Sequence, residues 1–458
     1  MSGKRTPVGN GLPAFLALAL AAVLLMPGCS DNAGDEVRGE AEATEAPRVV
    51  LIGVDGLDWE RVDAMITDGE LPNIARLRER GASGVLRSIP PFRSPSVWTS
   101  MATGKTEEKH GISGFLVERG QTKDATPTSG NMRKARAFWE ILSAAERSVG
   151  VVAWLVTWPA ERVDGYMVSP NINRLLTWRD DSEDSGEVSE RLAMAVHPPE
   201  LTEVVVSRRV TPDDVSGGRM KELIATEKYL EEPNAALEFS NLEATYASDL
   251  TTLAIAETLA ALMPTDVRAV YIRGLDINCH AMWRYMDPSS WPRGNPPEME
   301  ETFRTVIPGY YAVADSMVGV IMDGESDDTV FILCSDHGFA GHRGYDGFEG
   351  DVAIGIDMHR EDGILMMAGP GIRRGESITG ASVLDITPTL LAAVGLPAAR
   401  DMDGRVLTEA FTEEFLSEHP VTMIDSYETG ERSDGEQPIE SPVDDEIKEM
   451  LRSLGYID

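Results

Sequence analysis

The stretch Thr329–Gly338, TVFILCSDHG, decides the fold. Its first six residues are apolar and rich in β-branched side chains, which is typical of a strand buried on both faces of a parallel sheet. The strand ends at Ser335, where Asp336 and His337 follow. Open α/β sheets bind ligands at the carboxyl ends of their strands. An isolated Asp-His pair favours a polar turn, so the remainder of the chain must decide between a turn and a ligand site.

Further segments of the same kind alternate with helical patterns along the chain. The predicted strands include Arg48–Val54, Gly81–Ile89, Val149–Thr157 and Val267–Arg273. The predicted helices include Leu71–Arg80, Leu242–Leu262, Ile307–Met322 and Asp385–Ala393. This alternation predicts an α/β domain in which helices enclose a mostly parallel sheet.

Composition limits the partners of the protein. The 458 residues include 76 Asp and Glu against 41 Lys and Arg, a formal net charge of −35. Such an acidic chain repels nucleic acid and anionic membrane surfaces, so we expect no nucleic-acid binding. The charge does not identify a substrate.

The first residues resemble a bacterial lipoprotein signal. Basic Lys4 and Arg5 precede the apolar stretch Leu12–Met26, and Pro27-Gly28-Cys29 follows. We expect residues 1–29 to be a signal peptide with its lipidation site at Cys29, and residues 30–47 to be a disordered tether. The protein would then be exported and lipid-anchored to the bacterial cell envelope, facing the periplasm or the surface. An ordinary secretory signal or a short anchor is the alternative.

The polar segments suggest how the remaining residues are organised. A catalytic domain is predicted over residues 48–423, with cap insertions at about 170–250 and 283–303, where charged and proline-rich stretches interrupt the pattern. Residues 424–458 form an acidic tail, whose last residues, Leu451–Ile457, are expected to pack back. Cys279 and Cys334 are predicted to be packed thiols, because a disulfide framework needs more cysteines than this chain has.

Ser94 is a candidate nucleophile. In SPSVWTSMATG it precedes Pro95, an arrangement that predicts Ser94 as the N-cap of a helix ending near Gly104. The serine either caps the helix or attacks a substrate whose phosphate binds the positive helix terminus. Ser96 and Thr99 are nearby competitors within the first turns.

Carboxylates and imidazoles recur at predicted strand ends. Asp276 and His280 would share one face of a helical turn, because they are four residues apart. The full set of candidates is Asp55, Asp276, His280, Asp336, His337 and His359. Oxygen and imidazole nitrogen ligands suit zinc, with manganese as the harder alternative.

The order of these motifs resembles the alkaline phosphatase superfamily, in its type I phosphodiesterase/nucleotide pyrophosphatase branch. The resemblance covers roughly Arg48 to Leu407, apart from the two insertions. Its most specific pieces are the VDG strand end, SPSVWTSMATG followed by His110-Gly111-Ile112, SDHG, HREDGILMMAGPGI, the helix starting DITPTLL and the DMDG turn.

The resemblance implies a two-metal phosphoester hydrolase with an alkaline-phosphatase-like core. One divalent ion would be held by Asp55, Asp336 and His337 and would contact Ser94. The other would be held by Asp276, His280 and His359. Ser94 would form a phosphoserine during hydrolysis of a small-molecule phosphate ester.

Some positions differ from the family pattern. Phe115 stands where nucleotide pyrophosphatases have a phosphate-binding asparagine, and Ser94 stands where they usually have threonine. A phosphomonoesterase on the same scaffold therefore remains an alternative, as does a non-catalytic binding lipoprotein. Ser94-Pro95-Ser96-Val97 does not match the sulfatase nucleophile pattern. The sequence leaves the oligomeric state open.

Overall fold

The computed structural model describes residues 46–118, 125–177, 185–291, 294–341, 358–429, 435 and 437–456. The predicted signal peptide, Cys29 and nearly all of the predicted tether lie outside the described residues. From Pro47 onward the described chain forms one unit.

The strands of the described chain are β1 Arg48–Val54, β2 Gly81–Arg87, β3 Leu116–Glu118, β4 Ala125–Pro127, β5 Val149–Val152, β6 Gly165–Val168, β7 Val196–His197, β8 Val267–Ile272, β9 Thr329–Cys334, β10 Gly338–Phe339, β11 His359–Arg360, β12 Asp362–Ala368, β13 Ser377–Ser382, β14 Ala398–Ala399 and β15 Met423–Ile424.

The α-helices are α1 Trp59–Thr67, α2 Pro72–Arg80, α3 Ser94–Thr103, α4 Glu107–His110, α5 Phe138–Ala144, α6 Asn171–Thr177, α7 Ser185–Met194, α8 Thr202–Val206, α9 Pro212–Val215, α10 Arg219–Leu223, α11 Pro233–Leu262, α12 Gly274–Met286, α13 Pro297–Phe303, α14 Val306–Asp323, α15 Ile386–Ala393, α16 Glu413–Glu418 and α17 Asp444–Ser453.

The main sheet has the strand order β13-β2-β12-β9-β1-β8-β5-β6-β7. Five neighbouring pairs are parallel, namely β13 with β2, β9 with β1, β1 with β8, β8 with β5, and β5 with β6. The pairs β2 with β12, β12 with β9, and β6 with β7 are antiparallel. Helices pack against the sheet. The predicted α/β fold with a mostly parallel sheet is therefore confirmed.

The three central strands are β9, β1 and β8. Every residue of β8 and β9 is buried, as is every residue of β1 after Arg48. Because both faces of these strands are covered, their sequences are continuous apolar runs without alternation. Their carboxyl ends therefore lie side by side at one edge of the sheet.

Gly53 of β1 lets a helix approach the sheet closely. A Cβ at this position would lie 2.6 Å from the indole ring of Trp98, which belongs to α3. The Trp98 ring is completely buried and packs edge-on against Trp154 and Tyr271, with centroid distances of 5.1 and 4.8 Å. The missing side chain of Gly53 thus fixes the depth at which α3 lies on the sheet.

The first predicted insertion, about 170–250, is largely helical in its described part. It contains α6 to α10 and the first half of α11. Helix α11 begins at Pro233, earlier than the predicted Leu242, because its first turns follow a proline and contain good helix formers without an apolar stripe. The second insertion, 283–303, holds the end of α12 and all of α13.

Two further helical regions bear on the expectations from sequence. The described stretch Pro297–Asp323 is long and apolar enough to cross a membrane, but 67% of its most apolar window is buried inside the protein, as in a core helix. The predicted acidic tail contains α17, which contacts β4 and buries Leu451. Its last described residues pack back onto the domain through Leu451 and Leu454, as expected.

Candidate active site

The candidate residues meet at the carboxyl edge of the three central strands. Asp55 follows β1 directly, and its backbone N–H donates to the carbonyl of Ile272 at the end of β8, 3.0 Å away. Asp336 and His337 follow β9. Ser335 links the turn after β1 to the turn after β9. Its hydroxyl accepts from the N–H of Leu57 at 2.9 Å and donates to the carbonyl of His337 at 2.7 Å.

Helix α12 carries the next two candidates. The helix begins directly after β8, and Asp276 and His280 lie on one of its faces, as the spacing predicted. His280 Nε2 is 3.2 Å from Asp276 Oδ1. His359 of β11 completes this side, with its Nε2 2.9 Å from His280 Nε2 and 3.6 Å from Asp276 Oδ1.

His337 lies between the two sides of the cluster. Its Nε2 is 3.4 Å from Asp55 Oδ1 and 3.3 Å from Asp336 Oδ2. Two groups of ligand atoms come within 4.8 Å of one another, and they are Asp55 with Asp336 and His337, and Asp276 with His337 and His359. The first group equals the predicted first ligand set. In the second group His337 takes the position predicted for His280, although His280 adjoins both Asp276 and His359.

Backbone carbonyls orient two of the imidazoles. His359 Nδ1 lies 2.9 Å from the carbonyl of Phe92, and His337 Nδ1 lies 3.0 Å from the carbonyl of Gly338. Because a carbonyl accepts only, each Nδ1 carries the proton, and each Nε2 then presents its lone pair to the cluster. Phe92 adopts a φ of 57°, which is uncommon for a residue other than glycine.

The cluster contains many buried polar atoms with no hydrogen-bond partner among the described residues. They are Asp55 Oδ1, Asp276 Oδ1, both carboxylate oxygens of Asp336, His280 Nδ1 and His337 Nε2. Such atoms are costly unless something binds them. Hard oxygens and imidazole nitrogens at this density fit divalent metal ions, so the residues present suit the expected cofactor.

The pKa values reflect crowded, desolvated carboxylates. Burial, followed by the charge of Asp276, raises the pKa of Asp55 to about 7. Burial, followed by the charge of Asp55, raises the pKa of Asp336 well above its ordinary value. Burial also opposes ionisation of Asp276, but the neighbouring His280 and His359 together outweigh it and lower that pKa. The pKa of His337 is lowered, first by burial and then by His359.

Ser94 is the first residue of α3. The N-cap is Arg93, whose backbone is extended, and no side chain caps the helix. The N-cap prediction for Ser94 is therefore wrong by one position. The Ser94 hydroxyl is buried without a hydrogen-bond partner among the described residues, so it does not cap the helix.

The two competing hydroxyls are already engaged. Ser96 Oγ donates to Glu107 Oε2 at 2.9 Å, and Thr99 Oγ1 donates to the carbonyl of Pro95 at 2.7 Å. Ser94, by contrast, lines a small cavity of about 20 Å³ together with Asp55 and Asp276. Of the three hydroxyls, that of Ser94 is the one available to a substrate.

The sequence reasoning missed Tyr456. Its hydroxyl is 2.7 Å from His280 Nε2, 3.3 Å from His359 Nε2 and 3.3 Å from Asp276 Oδ2. Its ring packs against that of Phe115, with centroids 4.6 Å apart. The end of the acidic tail thus reaches the candidate ligands themselves.

His110, part of the quoted His-Gly-Ile motif, has a supporting position. Its Nδ1 accepts from the N–H of Ile112 at 3.1 Å, so Nε2 carries the proton and donates to Ser100 Oγ at 2.9 Å. Because Ser100 belongs to α3, this contact ties the loop after α4 to the helix that carries Ser94.

A sheet of this topology with carboxylates and imidazoles at its central strand ends defines an alkaline-phosphatase-like α/β protein. A family model described as "Type I phosphodiesterase / nucleotide pyrophosphatase" matches residues 49–374. The chain therefore belongs to the type I phosphodiesterase/nucleotide pyrophosphatase family.

Individual relatives are more distant. A choline-sulfatase of Rhizobium meliloti is 37% identical over 116 residues, which are 22% of this chain and 21% of that enzyme. The chain thus matches about a fifth of that relative's length. A protein from Bacteroides thetaiotaomicron described as a sulfatase is 12% identical, covers 84% of this chain and 76% of its own, and has a TM-score of 0.48. Phosphonoacetate hydrolase of Sinorhizobium meliloti is 16% identical, covers 64% and 57%, and has a TM-score of 0.36.

Proposed function

We propose that the protein is a metal-dependent phosphoester hydrolase, with phosphodiester hydrolysis as the leading activity and Ser94 as the nucleophile. The observation that carries the proposal is the cavity that Ser94 shares with Asp55 and Asp276. The Ser94 hydroxyl and one oxygen of each carboxylate are buried without hydrogen-bond partners among the described residues.

Two divalent ions, of zinc or alternatively manganese, are the proposed cofactors. Asp55, Asp336 and His337 would hold one ion. Asp276, His280 and His359 would hold the other, with His337 adjacent to both sets. When bound, the ions neutralise the phosphoryl oxygens and lower the pKa of the serine hydroxyl.

The residues of the chain then have separate tasks. Ser94 Oγ attacks phosphorus, the new Ser94–phosphorus ester forms, and the bond from phosphorus to the leaving oxygen breaks. Water subsequently cleaves the ester and regenerates Ser94. The start of α3 assists, because unpaired N–H groups at a helix N-terminus favour negative charge.

A phosphomonoesterase is the nearest alternative. Phe115 fills the position of the phosphate-binding asparagine and packs against Tyr456, so an amide contact typical of the diesterases is replaced by an aromatic one. A sulfate ester hydrolase is a second candidate, which the local identity to choline-sulfatase favours. The nucleophile segment SPSV counts against it.

The test compares three chromogenic esters with the metal-loaded protein. We expect release of p-nitrophenol from bis-p-nitrophenyl phosphate to exceed release from p-nitrophenyl phosphate and p-nitrophenyl sulfate. Chelator and Ser94→Ala should each remove the activity, while Ser96→Ala, whose hydroxyl is engaged by Glu107, should retain most of it. Faster monoester turnover would assign a phosphatase, and faster sulfate release a sulfatase. Metal binding without turnover of any ester would favour the non-catalytic binding lipoprotein.

We also propose that the protein is exported and tethered to the cell envelope through lipid on Cys29, because the leader combines a basic start, an apolar stretch and Gly28-Cys29. In cells, Cys29→Ala should move the protein from the membrane fraction to the soluble fraction or block its maturation. An unchanged membrane fraction together with normal cleavage of the leader would contradict the lipid anchor.

A further inference from the structure

Arg174 and Arg273 meet beneath the C-terminal helix. Arg174 lies in the last turn of α6 and Arg273 follows β8, and both side chains contact the thioether sulfur of Met450 in α17. Arg174 Nη2 is 2.6 Å and Arg273 Nη2 is 3.2 Å from Met450 Sδ. Arg174 Nη1 also donates to the carbonyl of Glu446 at 3.3 Å.

Within the described chain, neither guanidinium has a carboxylate at ion-pair distance, and the buried Arg273 Nε has no hydrogen-bond partner. A thioether is a weak acceptor, so these contacts do not compensate the two charges. The pKa of Arg174 is lowered to about 9, by burial and then by the charge of Arg273. The pair is therefore held together against its own repulsion.

Other arginines in the described chain differ in this respect. Arg133 pairs with Glu140 and Glu161, and Arg268 pairs with Glu257 and Glu325. Arg284, which lines the same cavity as Arg174, pairs with Glu238 at 3.1 Å. Those arginines thus have carboxylates at ion-pair distance, whereas the carboxylates that act on the pair, Glu446 on Arg174 and Asp249 on Arg273, lie beyond that distance.

Arg273 lines three cavities around Met450, and Arg174 lines two of them. Arg273 and Met450 line the small cavity that contains Ser94 and Asp55. Both arginines and Met450 also line a cavity of about 610 Å³, which extends along α11 and α12 to His280. A substrate whose phosphorus approaches Ser94 would place its remaining part against the two arginines once the Met450 side chain moved aside.

We propose that Arg174 and Arg273 form an anion subsite that binds a second negatively charged group of the substrate, a carboxylate, sulfonate or phosphate. The inference rests on the proposed function and makes it narrower: the substrate is a phosphate ester whose organic part is itself anionic. A guanidinium pair binds such oxyanions through several charge-assisted hydrogen bonds. The thioether of Met450 offers the two arginines only a weak acceptor instead.

The first test measures binding calorimetrically with the metal-loaded protein and two non-hydrolysable probes, 3-phosphonopropionate and propylphosphonate, which differ in one carboxylate. The wild type should bind the carboxylated probe about tenfold more tightly or better. Arg273→Met and Arg174→Met should bring the affinities for the two probes within about threefold of each other. The preference of Arg273→Lys for the carboxylated probe should lie between those of the wild type and Arg273→Met. Arg284→Met, the control from the same cavity, should keep the preference. Equal affinities in the wild type, or a preference that survives both arginine variants, would overturn the subsite.

A second test separates the subsite from the proposed reaction. In chelator-treated protein the carboxylates of the cluster repel anions, so sulfate can bind at the arginines but not among the ligands. Millimolar sulfate should raise the melting temperature of the wild type more than that of the double variant Arg174→Met/Arg273→Met. Equal shifts would overturn the subsite. If sulfate distinguishes the proteins but neither phosphonate binds the metal-loaded protein, the subsite stands and the phosphoester function fails.

Discussion

At the scale of single residues, Tyr456 competes for the candidate ligands. Its hydroxyl lies within hydrogen-bond distance of His280, His359 and Asp276. Those contacts must be released before the same atoms can hold an ion. We therefore expect Tyr456→Phe to bind zinc or manganese several-fold more tightly than the wild type, in keeping with the loss of about 1 kcal/mol of hydrogen bonding. Calorimetric metal titration measures this, and weaker binding in the variant would instead make Tyr456 a ligand.

The raised pKa of Asp55 has a consequence for stability without metal. Its pKa is 3.8 ordinarily and about 7 in the folded protein, where burial and Asp276 disfavour the carboxylate. A carboxyl group with a raised folded pKa stabilises the fold in acid, and this contribution is lost as the pH rises from about 4 to 7. Burial lowers the pKa of His337 from its ordinary value of 6.5, so this residue destabilises the fold as the pH falls below 6.5. Because the two effects on stability have opposite signs, a comparison with a variant is needed.

Asp55→Asn isolates this effect. In urea unfolding with chelator present, the variant should gain stability relative to the wild type as the pH rises, and the difference should level off above about pH 7, at on the order of 4 kcal/mol at most. A difference that is independent of pH would show that Asp55 titrates normally in the folded protein.

The sequence could predict the individual site residues where a strand end marks them. Asp55, Asp336 and His337 follow apolar runs directly, and Asp276 and His280 share a helical spacing. The shared position of His337 could not be predicted, because it depends on the separation of adjacent strand ends. The one-residue error at Ser94 has a similar origin, since a serine before proline fits either the cap or the first helical turn.

At the scale of secondary-structure elements, the position of α3 depends on Gly53. Gly53→Ala would place a methyl group 2.6 Å from the Trp98 ring and push α3 away from the sheet. We expect a loss of stability of about 1–3 kcal/mol and a fall in kcat of about tenfold or more, because Ser94 moves with the helix.

Gly217→Ala is the matched control, since an added Cβ there contacts nothing within 4 Å. Denaturant unfolding and steady-state kinetics of the two variants check the prediction. Normal kcat in a destabilised Gly53→Ala protein would separate the position of α3 from catalysis.

Helix α17 has a helical pattern in its sequence, but the acidic composition of the tail obscured that pattern. Ile447, Met450, Leu451 and Leu454 recur at the spacing of one helical face, and Asp444 to Glu446 suit a helix N-terminus. The surrounding acidic residues made the segment resemble a solvated tail. Its contact with Ser94's cavity required tertiary structure, because no local pattern indicates where an amphipathic helix will pack.

At the scale of the whole molecule, the core was predictable and the cap was not. Continuous apolar strands report burial on both faces, so the mostly parallel sheet followed from β1, β8 and β9. The segment around 170–250 carries no comparable signal, because it forms mostly short helices, and β7, its strand in the main sheet, has only two residues.

The net charge of −35 should influence the kinetics of the proposed hydrolysis. An anionic ester approaches an anionic protein, so added salt screens a repulsion. We expect kcat/KM for bis-p-nitrophenyl phosphate to rise as potassium chloride increases from roughly 20 to 200 mM, with kcat nearly constant. A fall in kcat/KM over this range would mean that a local positive field, such as that of Arg174 and Arg273, outweighs the net charge.

The most direct test of Ser94 as the nucleophile is whether this residue is covalently modified during turnover. Metal-loaded protein is mixed with excess bis-p-nitrophenyl phosphate, quenched in acid within the first turnovers, digested and analysed by mass spectrometry. We predict a p-nitrophenyl phosphoryl adduct on the peptide containing Ser94, absent from Ser94→Ala and from chelated protein. Sustained hydrolysis by Ser94→Ala at the wild-type rate, or an adduct on another residue, would contradict the assignment of Ser94 as the nucleophile.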